Sequence, residues 1–176
     1  MIRRAINTDI EQIIRTYEEL LLYEKRNESN SNWQLGIYPT IEIPMNKIPE
    51  GTMYVLEEQG NICASMVLNK EQPIEYQQIN WEYSADLDEV MVIHTLCIPP
   101  RNAGKGYGNQ MVLFSIQQAK KLDCKVIRID TWEGNKPAAA LYQKIGFRFA
   151  GTAHILLQGL IPEEQVFFEL SLEEIE

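Results

Sequence analysis

The spacing of apolar positions changes several times along this 176-residue chain, and each change predicts an element. Ile2 to Ile6 predicts a short strand, and beyond it Ile10, Ile13, Ile14, Tyr17, Leu20 and Leu21 recur at helical spacing. Thr8 and Glu11 have the separation of a capping box at the start of that helix. The periodicity is lost between Arg26 and Ile43, in RNESNSNWQLGIYPTIEI, a long loop carrying Trp33, Tyr38 and Pro39. Thr52 to Glu57 and Asn61 to Asn69 read as two strands of a hairpin turned at Gln59-Gly60. Residues 71 to 87 are irregular and hold Trp81 and Tyr83, and MVIHTLCI, Met91 to Ile98, is a further strand.

Two prolines and a glycine-rich turn follow, then a helix from Tyr107 marked by Met111, Val112, Ser115, Ile116, Ala119 and Leu122. Val126 to Trp132 alternates as a strand, and the next helix has Pro137 in its first turn and ends at Gly146. Phe147 to Leu156 and Gln165 to Leu172 supply two last strands, with a turn expected around Pro162. The order β-α-loop-β-β-β-α-β-α-β-β implies one α/β domain over residues 1–176, a mixed sheet flanked by helices on both faces.

Charge and composition narrow the classes. A net charge of -9 argues against nucleic acid as the main partner and suits a cationic acceptor such as an amine. No apolar run reaches the roughly twenty residues of a membrane span, and Met1-Ile2-Arg3-Arg4 lacks the apolar segment of a signal peptide, so the cytoplasm is the expected compartment. Cys63, Cys97 and Cys124 are widely spaced and only two histidines are present, which speaks against a disulfide framework and against a metal site. Cys97, in an apolar strand, reads as a small buried hydrophobe.

The turn IPPRNAGKGYG, Ile98 to Gly108, carries the chemistry. Glycines at 104, 106 and 108 clear side chains from the first amides of a helix, where unpaired N–H groups and the positive dipole end favour an anion such as phosphate. Lys105 is followed by Gly106, so the Lys-Ser/Thr of a nucleotide P-loop is missing. The G-x-G-x-G spacing also differs from the G-x-G-x-x-G of dinucleotide folds.

The stretch Val92 to Gly151, with IHTLCIPPRNAGKGYG and then IRIDTWEGNKPAAALYQKIGF, resembles the acetyl-CoA-binding core of the GNAT superfamily of N-acetyltransferases, a core placed here at about residues 91–151. The resemblance implies a GNAT-like fold, a mostly antiparallel mixed sheet of about seven strands, with acetyl-CoA as co-substrate and no metal. It implies that the amides of Ala103, Gly104, Lys105, Gly106, Tyr107, Gly108 and Asn109 hold the CoA pyrophosphate. Leu96, Cys97 and Ile98 would pair their backbone with the pantetheine arm, an amide there polarising the thioester carbonyl. Asn135 falls at the polar position near the pantetheine, and Tyr142 at the tyrosine that protonates the departing thiolate. By its letters the family's turn fits Arg101, Gly104 and Gly106. Counted from the strand end it falls on Ala103, Gly106 and Gly108, with Arg101 or Lys105 replacing a missing cation.

For the general base, the glutamate of histone-type members falls on Val92, and the histidine of serotonin-type members falls on His94. Strand alternation puts the two on one face, and an imidazole titrating near neutrality suits the task. Asp88 and Glu89 at the strand start, or a bound water, are the reserves, and a structural role for His94 stays open. Trp33, Tyr38 and Trp81 are candidate walls of the acceptor site. The expected activity is acetyl transfer to a small amine or a peptide amine in a ternary complex, the alternative being an acyl-CoA-binding sensor without turnover. The final apolar run VFFEL is a candidate for pairing across a homodimer.

Overall fold

The computed structural model describes residues 1–173, and the last three residues of the expected domain, 174–176, lie outside the described residues. Among the described residues, seven strands and three of the four α-helices follow the predicted order. The strands are β1 (Ile2–Arg4), β2 (Met53–Glu58), β3 (Asn61–Asn69), β4 (Val90–Cys97), β5 (Val126–Trp132), β6 (Arg148–Leu157) and β7 (Ile161–Ser171). They lie in one open mixed sheet in the order β1-β2-β3-β4-β5-β7-β6. The helices are α1 (Ile10–Arg26), α2 (Glu42–Lys47), α3 (Tyr107–Lys121) and α4 (Lys136–Ile145), of which α2 lies where the pattern reads as loop. Two compact units emerge: Met1–Ser29, Trp33–Leu68 and His94–Val112 make one, and Asn30–Asn32, Asn69–Ile93 and Leu113–Glu176 the other.

In the first unit β1 runs antiparallel to β2, and β2 antiparallel to β3. Gln59 and Gly60 take φ 51° and 77°, the two positive values of a tight hairpin turn whose twist matches its strands. The apolar face of α1 delivers Ile13 and Tyr17 to a core with Ala5, Ile48, Met53, Val55, Ile62 and Cys97. The helix start differs from the expected Thr8–Glu11 box. Residues Asn7–Asp9 form a 3-10 turn that leads into α1, and Asp9, at the N-cap position, makes no side-chain bond to the helix amides. Its Oδ2 accepts the Ile6 N–H at 2.8 Å, closing the 3-10 turn, and its two oxygens accept from Arg3 at 2.7 and 3.0 Å, a charge-assisted pair.

In the second unit β4 pairs with β5 in parallel, from Val90 opposite Val126 to Ile93 opposite Ile129. β7 is antiparallel to both β5 and β6. Tyr76, Ile79, Val90, Val92, Val126, Ala153 and Phe167 close the core on one face. The hairpin turn expected around Pro162 lies earlier, at Gln158 (φ 54°) and Gly159 (φ 69°). Pro162 stands inside β7, opposite Leu156 and beyond the Gln165 end of the β5 register, where its missing N–H is tolerated. This topology also corrects the dimer expectation. Val166 to Glu169 are paired with β5 on one side and β6 on the other, so VFFEL offers no open edge to a second chain.

The Arg3 guanidinium holds the Asp9 carboxyl below the usual carboxylate range. A depressed carboxyl contributes stability above its unfolded value of about 4, and that contribution is lost as pH falls through the folded value. Asp9→Asn is therefore expected to lower stability by about 2 kcal/mol at pH 7, and by much less at pH 3, in urea unfolding at the two pH values.

Candidate active site

The first unit carries the glycine turn. A 3-10 turn over Pro100–Asn102 leads from β4 to Ala103, and Gly104 and Gly106 take φ 75° and 78° before α3 begins at Tyr107. Positive φ is therefore required at Gly104 and Gly106, whereas Gly108 is the second residue of the helix. The helix ladder begins with Gln110 N–H to Gly106 O at 3.1 Å. Among the described residues, the amides of Gly104 to Asn109 donate to no protein acceptor, whereas Ala103 N–H is bonded to Pro100 O. A Cβ built on Gly104 or Gly106 meets nothing within 4 Å, so the space over the turn is open. A row of unpaired donors at a helix N-terminus beside open space fits an anionic group.

Asn102, absent from the sequence candidates, anchors this turn. It is buried, its Nδ2 donates to Cys63 O at 3.2 Å, and its Oδ1 accepts from Lys105 Nζ at 3.1 Å. Of the two proposed cations, Arg101 is neutralised by Glu19 and also donates to Ile62 O. Lys105 has no carboxylate partner among the described residues. The Tyr107 phenol donates to Glu58 at 2.6 Å, a bond that pushes it up to about 12, so only its amide serves the turn.

Along β4 the chain departs from regular strand geometry at one residue. Thr95 is buried at φ 50°, a conformation that a β-branched residue adopts only when its surroundings enforce it. Its hydroxyl shares a hydrogen bond with the Tyr38 phenol. Tyr38 in turn meets Trp33 edge to face, ring centroids 5.5 Å apart, and Trp33 packs on the unit's core. Both loop aromatics are therefore held on the unit that carries the turn. The strict alternation expected through His94 is interrupted at its neighbour, with His94 and Leu96 half-buried between the buried Ile93, Thr95 and Cys97. The Cys97 thiol is fully buried and pushed up to about 12 by that burial, in keeping with a core role.

In the second unit Asn135 caps α4. Its Oδ1 accepts from Ala138 N–H at 3.3 Å and its Nδ2 donates to Thr131 Oγ1 at 3.1 Å. Tyr142 sits one turn before the left-handed Gly146, buried against Phe147 and Phe168. Burial, and then the charge of Asp130, raise its phenol above the ordinary value, so it stays protonated at neutral pH. The Trp81 ring lies under the Arg128 guanidinium at 4.0 Å, packs on Tyr76 and Phe167, and donates its indole N–H to Tyr76 O at 2.8 Å. Val92, at the place of the glutamate of histone-type members, is fully buried in the apolar core and supplies no base. Glu89 is paired with Lys125 at 2.8 Å, which holds its carboxyl below the usual range, and Asp88 is exposed.

Sequence reasoning passed over one titratable group that the structure makes prominent. Asp130 on β5 accepts a 2.6 Å hydrogen bond from the Tyr76 phenol and is pushed up to about 6, chiefly by burial and then by the charges of Glu163 and Glu75. The available signal was an aspartate inside a strand, a setting that depletes it. Among the described residues no group of three or more His, Cys, Asp or Glu side chains could hold a metal ion, and no helix is long and apolar enough to cross a membrane.

An open seven-stranded mixed sheet with an amide-lined glycine turn defines a class, and the comparisons agree with it. Residues 13–147 match the Acetyltransferase (GNAT) family, and the chain belongs to that family and is an acetyltransferase. It is 27% identical over 133 residues to the uncharacterized N-acetyltransferase YvbK of Bacillus subtilis (strain 168), covering 76% of each chain. A solved acetyltransferase-like chain from Staphylococcus aureus Mu50 is 26% identical with TM-score 0.72, covering 98% of this chain and 99% of that one. A GNAT-family acetyltransferase of Streptococcus agalactiae 2603 shares the fold with TM-score 0.82 at 19% identity, covering 99% of this chain and 96% of that one. The fold is also shared with yncA of Salmonella typhimurium, solved with its cofactor acetyl-CoA, at TM-score 0.70 and 17% identity over 99% of this chain and 95% of that one.

The left-handed glycines make a local prediction. Gly106→Ala is expected to cost about 1 kcal/mol through strain at positive φ, since its Cβ meets no neighbour, and thermal unfolding measures the loss.

Proposed function

We propose that residues 1–176 act as a single N-acetyltransferase domain that moves the acetyl group of acetyl-CoA to a primary amine, small or peptidic, by direct attack in a ternary complex. The observation that carries this reading is the run of unpartnered amides from Gly104 to Asn109, opening onto free space beside Lys105. Acetyl-CoA supplies an activated thioester and a pyrophosphate by which it is held. The turn amides and Lys105 bind the pyrophosphate, and the backbone of Leu96, Cys97 and Ile98 orients the pantetheine and polarises the carbonyl. Asn135, with Thr131 beside it, holds the N-terminus of the helix that carries Tyr142. Tyr142, kept protonated by burial, gives its phenolic proton to the departing sulfur. Trp33 and Tyr38, fixed by the bond to Thr95, wall the acceptor side. His94 or a water is the proton acceptor that the sequence nominates for the amine. Three buried free cysteines suit a reducing compartment such as the cytoplasm.

Tyr142→Phe tests the proton-donor role. CoA release with an acceptor amine is expected to fall about 100-fold while acetyl-CoA affinity stays within twofold, measured by thiol detection and calorimetry. Undiminished release by the variant removes that role. Tight acetyl-CoA binding by the native chain, with no release on any amine, supports a binding module instead.

A further inference from the structure

We propose that Asp130, rather than His94, is the base that takes the proton from the acceptor ammonium, with Tyr76 as its positioning residue. This rests on the transferase reading above and assigns one step within it.

The geometry comes first. Asp130 stands two residues before the end of β5, opposite Phe167 of β7, and is half-buried as a residue. Among the described residues its one hydrogen-bonded side chain is the Tyr76 phenol, at 2.6 Å, which fixes one carboxylate oxygen and leaves the other to accept. Tyr76 is itself held rigidly, stacked among Trp81 and Phe167 and 3% exposed. The neighbouring cation does not neutralise the carboxylate. Arg128 is engaged by Gln72 at 2.7 Å, by Tyr83 O at 3.2 Å and by the Trp81 ring. Among the described residues Asp130 has no ion-pair partner.

Of the titratable groups around it, the carboxylates oppose its ionisation and the Tyr76 hydrogen bond favours it. Glu75, adjoining Tyr76 in the 3-10 turn Ile74–Gln78, and Glu163, on β7 and itself raised by burial, both disfavour a second negative charge. Glu163 is tied to Asn32 and Gln165, each at 2.9 Å. Tyr142 on α4 and Tyr76 feel the Asp130 charge as a rise in their own phenols. Burial with two acidic neighbours thus lifts Asp130 to about 6, while the same charge keeps Tyr142 protonated. Two groups tuned apart in this way are an acid and a base. The carboxylates of Glu75 and Glu163 also favour an incoming ammonium.

The step balances. Asp130 carboxylate accepts one proton from the acceptor ammonium, leaving a neutral amine whose lone pair forms the C–N bond as the C–S bond breaks. Tyr142 protonates the sulfur, the second proton lost by the nitrogen restores the phenol through solvent, and Asp130 releases its proton to water. One acetamide, one thiol and one proton result.

The test uses the full chain with spermidine, L-lysine, tyramine and an alanine-terminated peptide as acceptors. Wild-type CoA release is expected to have an acid limb near pH 6 in kcat/KM. Asp130→Asn loses that limb and about 100-fold in rate, with acetyl-CoA affinity unchanged. His94→Gln keeps the limb. Tyr76→Phe moves it to higher pH, because the lost hydrogen bond favoured the charged carboxylate. Independently of any acceptor, the Asp130 side-chain carbon titrates near 6 by 13C NMR. A limb that persists in Asp130→Asn or vanishes in His94→Gln, or a carboxyl titrating near 4, overturns the assignment alone. No CoA release from the wild type with any of the amines overturns the transferase reading and this assignment with it.

Discussion

Backbone N–H groups are obligatory donors, and the constraint on which this structure turns is that a run of them at the start of α3 has nothing among the described residues to donate to. Two left-handed glycines aim them at open space, and a buried asparagine pins the turn to β3 through Cys63 O. The lysine beside them donates to that asparagine and has no carboxylate partner among the described residues, while the nearby arginine is occupied by Glu19. Such a turn is costly in backbone freedom, a cost that the proposed anion site accounts for, since its donors would need no reorganisation when a ligand arrives.

The second unit supplies a different kind of preparation. Its strand β5 carries Asp130 into a setting of phenols and carboxylates, and its helix α4 carries Tyr142 to a buried position near enough to feel that charge. The two ionisable groups depart from their solution behaviour for related reasons. Burial penalises the charged form of each, and the anion of one reinforces the neutral form of the other. The cap that Asn135 provides, tied back to Thr131 of β5, sets where that helix begins.

Most of the fold was legible because its signals were local. The Gln59-Gly60 turn, the Gly146 stop, the Val126 to Trp132 alternation and the stripe on α1 are each decided by residues a few positions apart. Where the reading failed, a distant partner decided. The Thr8 capping box gave way to a 3-10 turn closed by Asp9, which Arg3 of β1 reaches, and VFFEL lost its open edge because β5 and β6 take both sides of β7. The site divides likewise: the glycine turn, Asn135 and Tyr142 lie in contiguous motifs. Thr95 at positive φ, Asn102 as an anchor and Asp130 bonded to a tyrosine 54 positions away depend on contacts that no spacing rule encodes.

The central claim is that the amides from Gly104 to Asn109 are the acetyl-CoA pyrophosphate site, and a backbone 15N–1H NMR titration with CoA tests it most directly. The account predicts saturable shifts that are largest at these amides, abolished when dephosphorylated pantetheine replaces CoA. Saturation with the largest shifts elsewhere, and these amides unmoved, would contradict it.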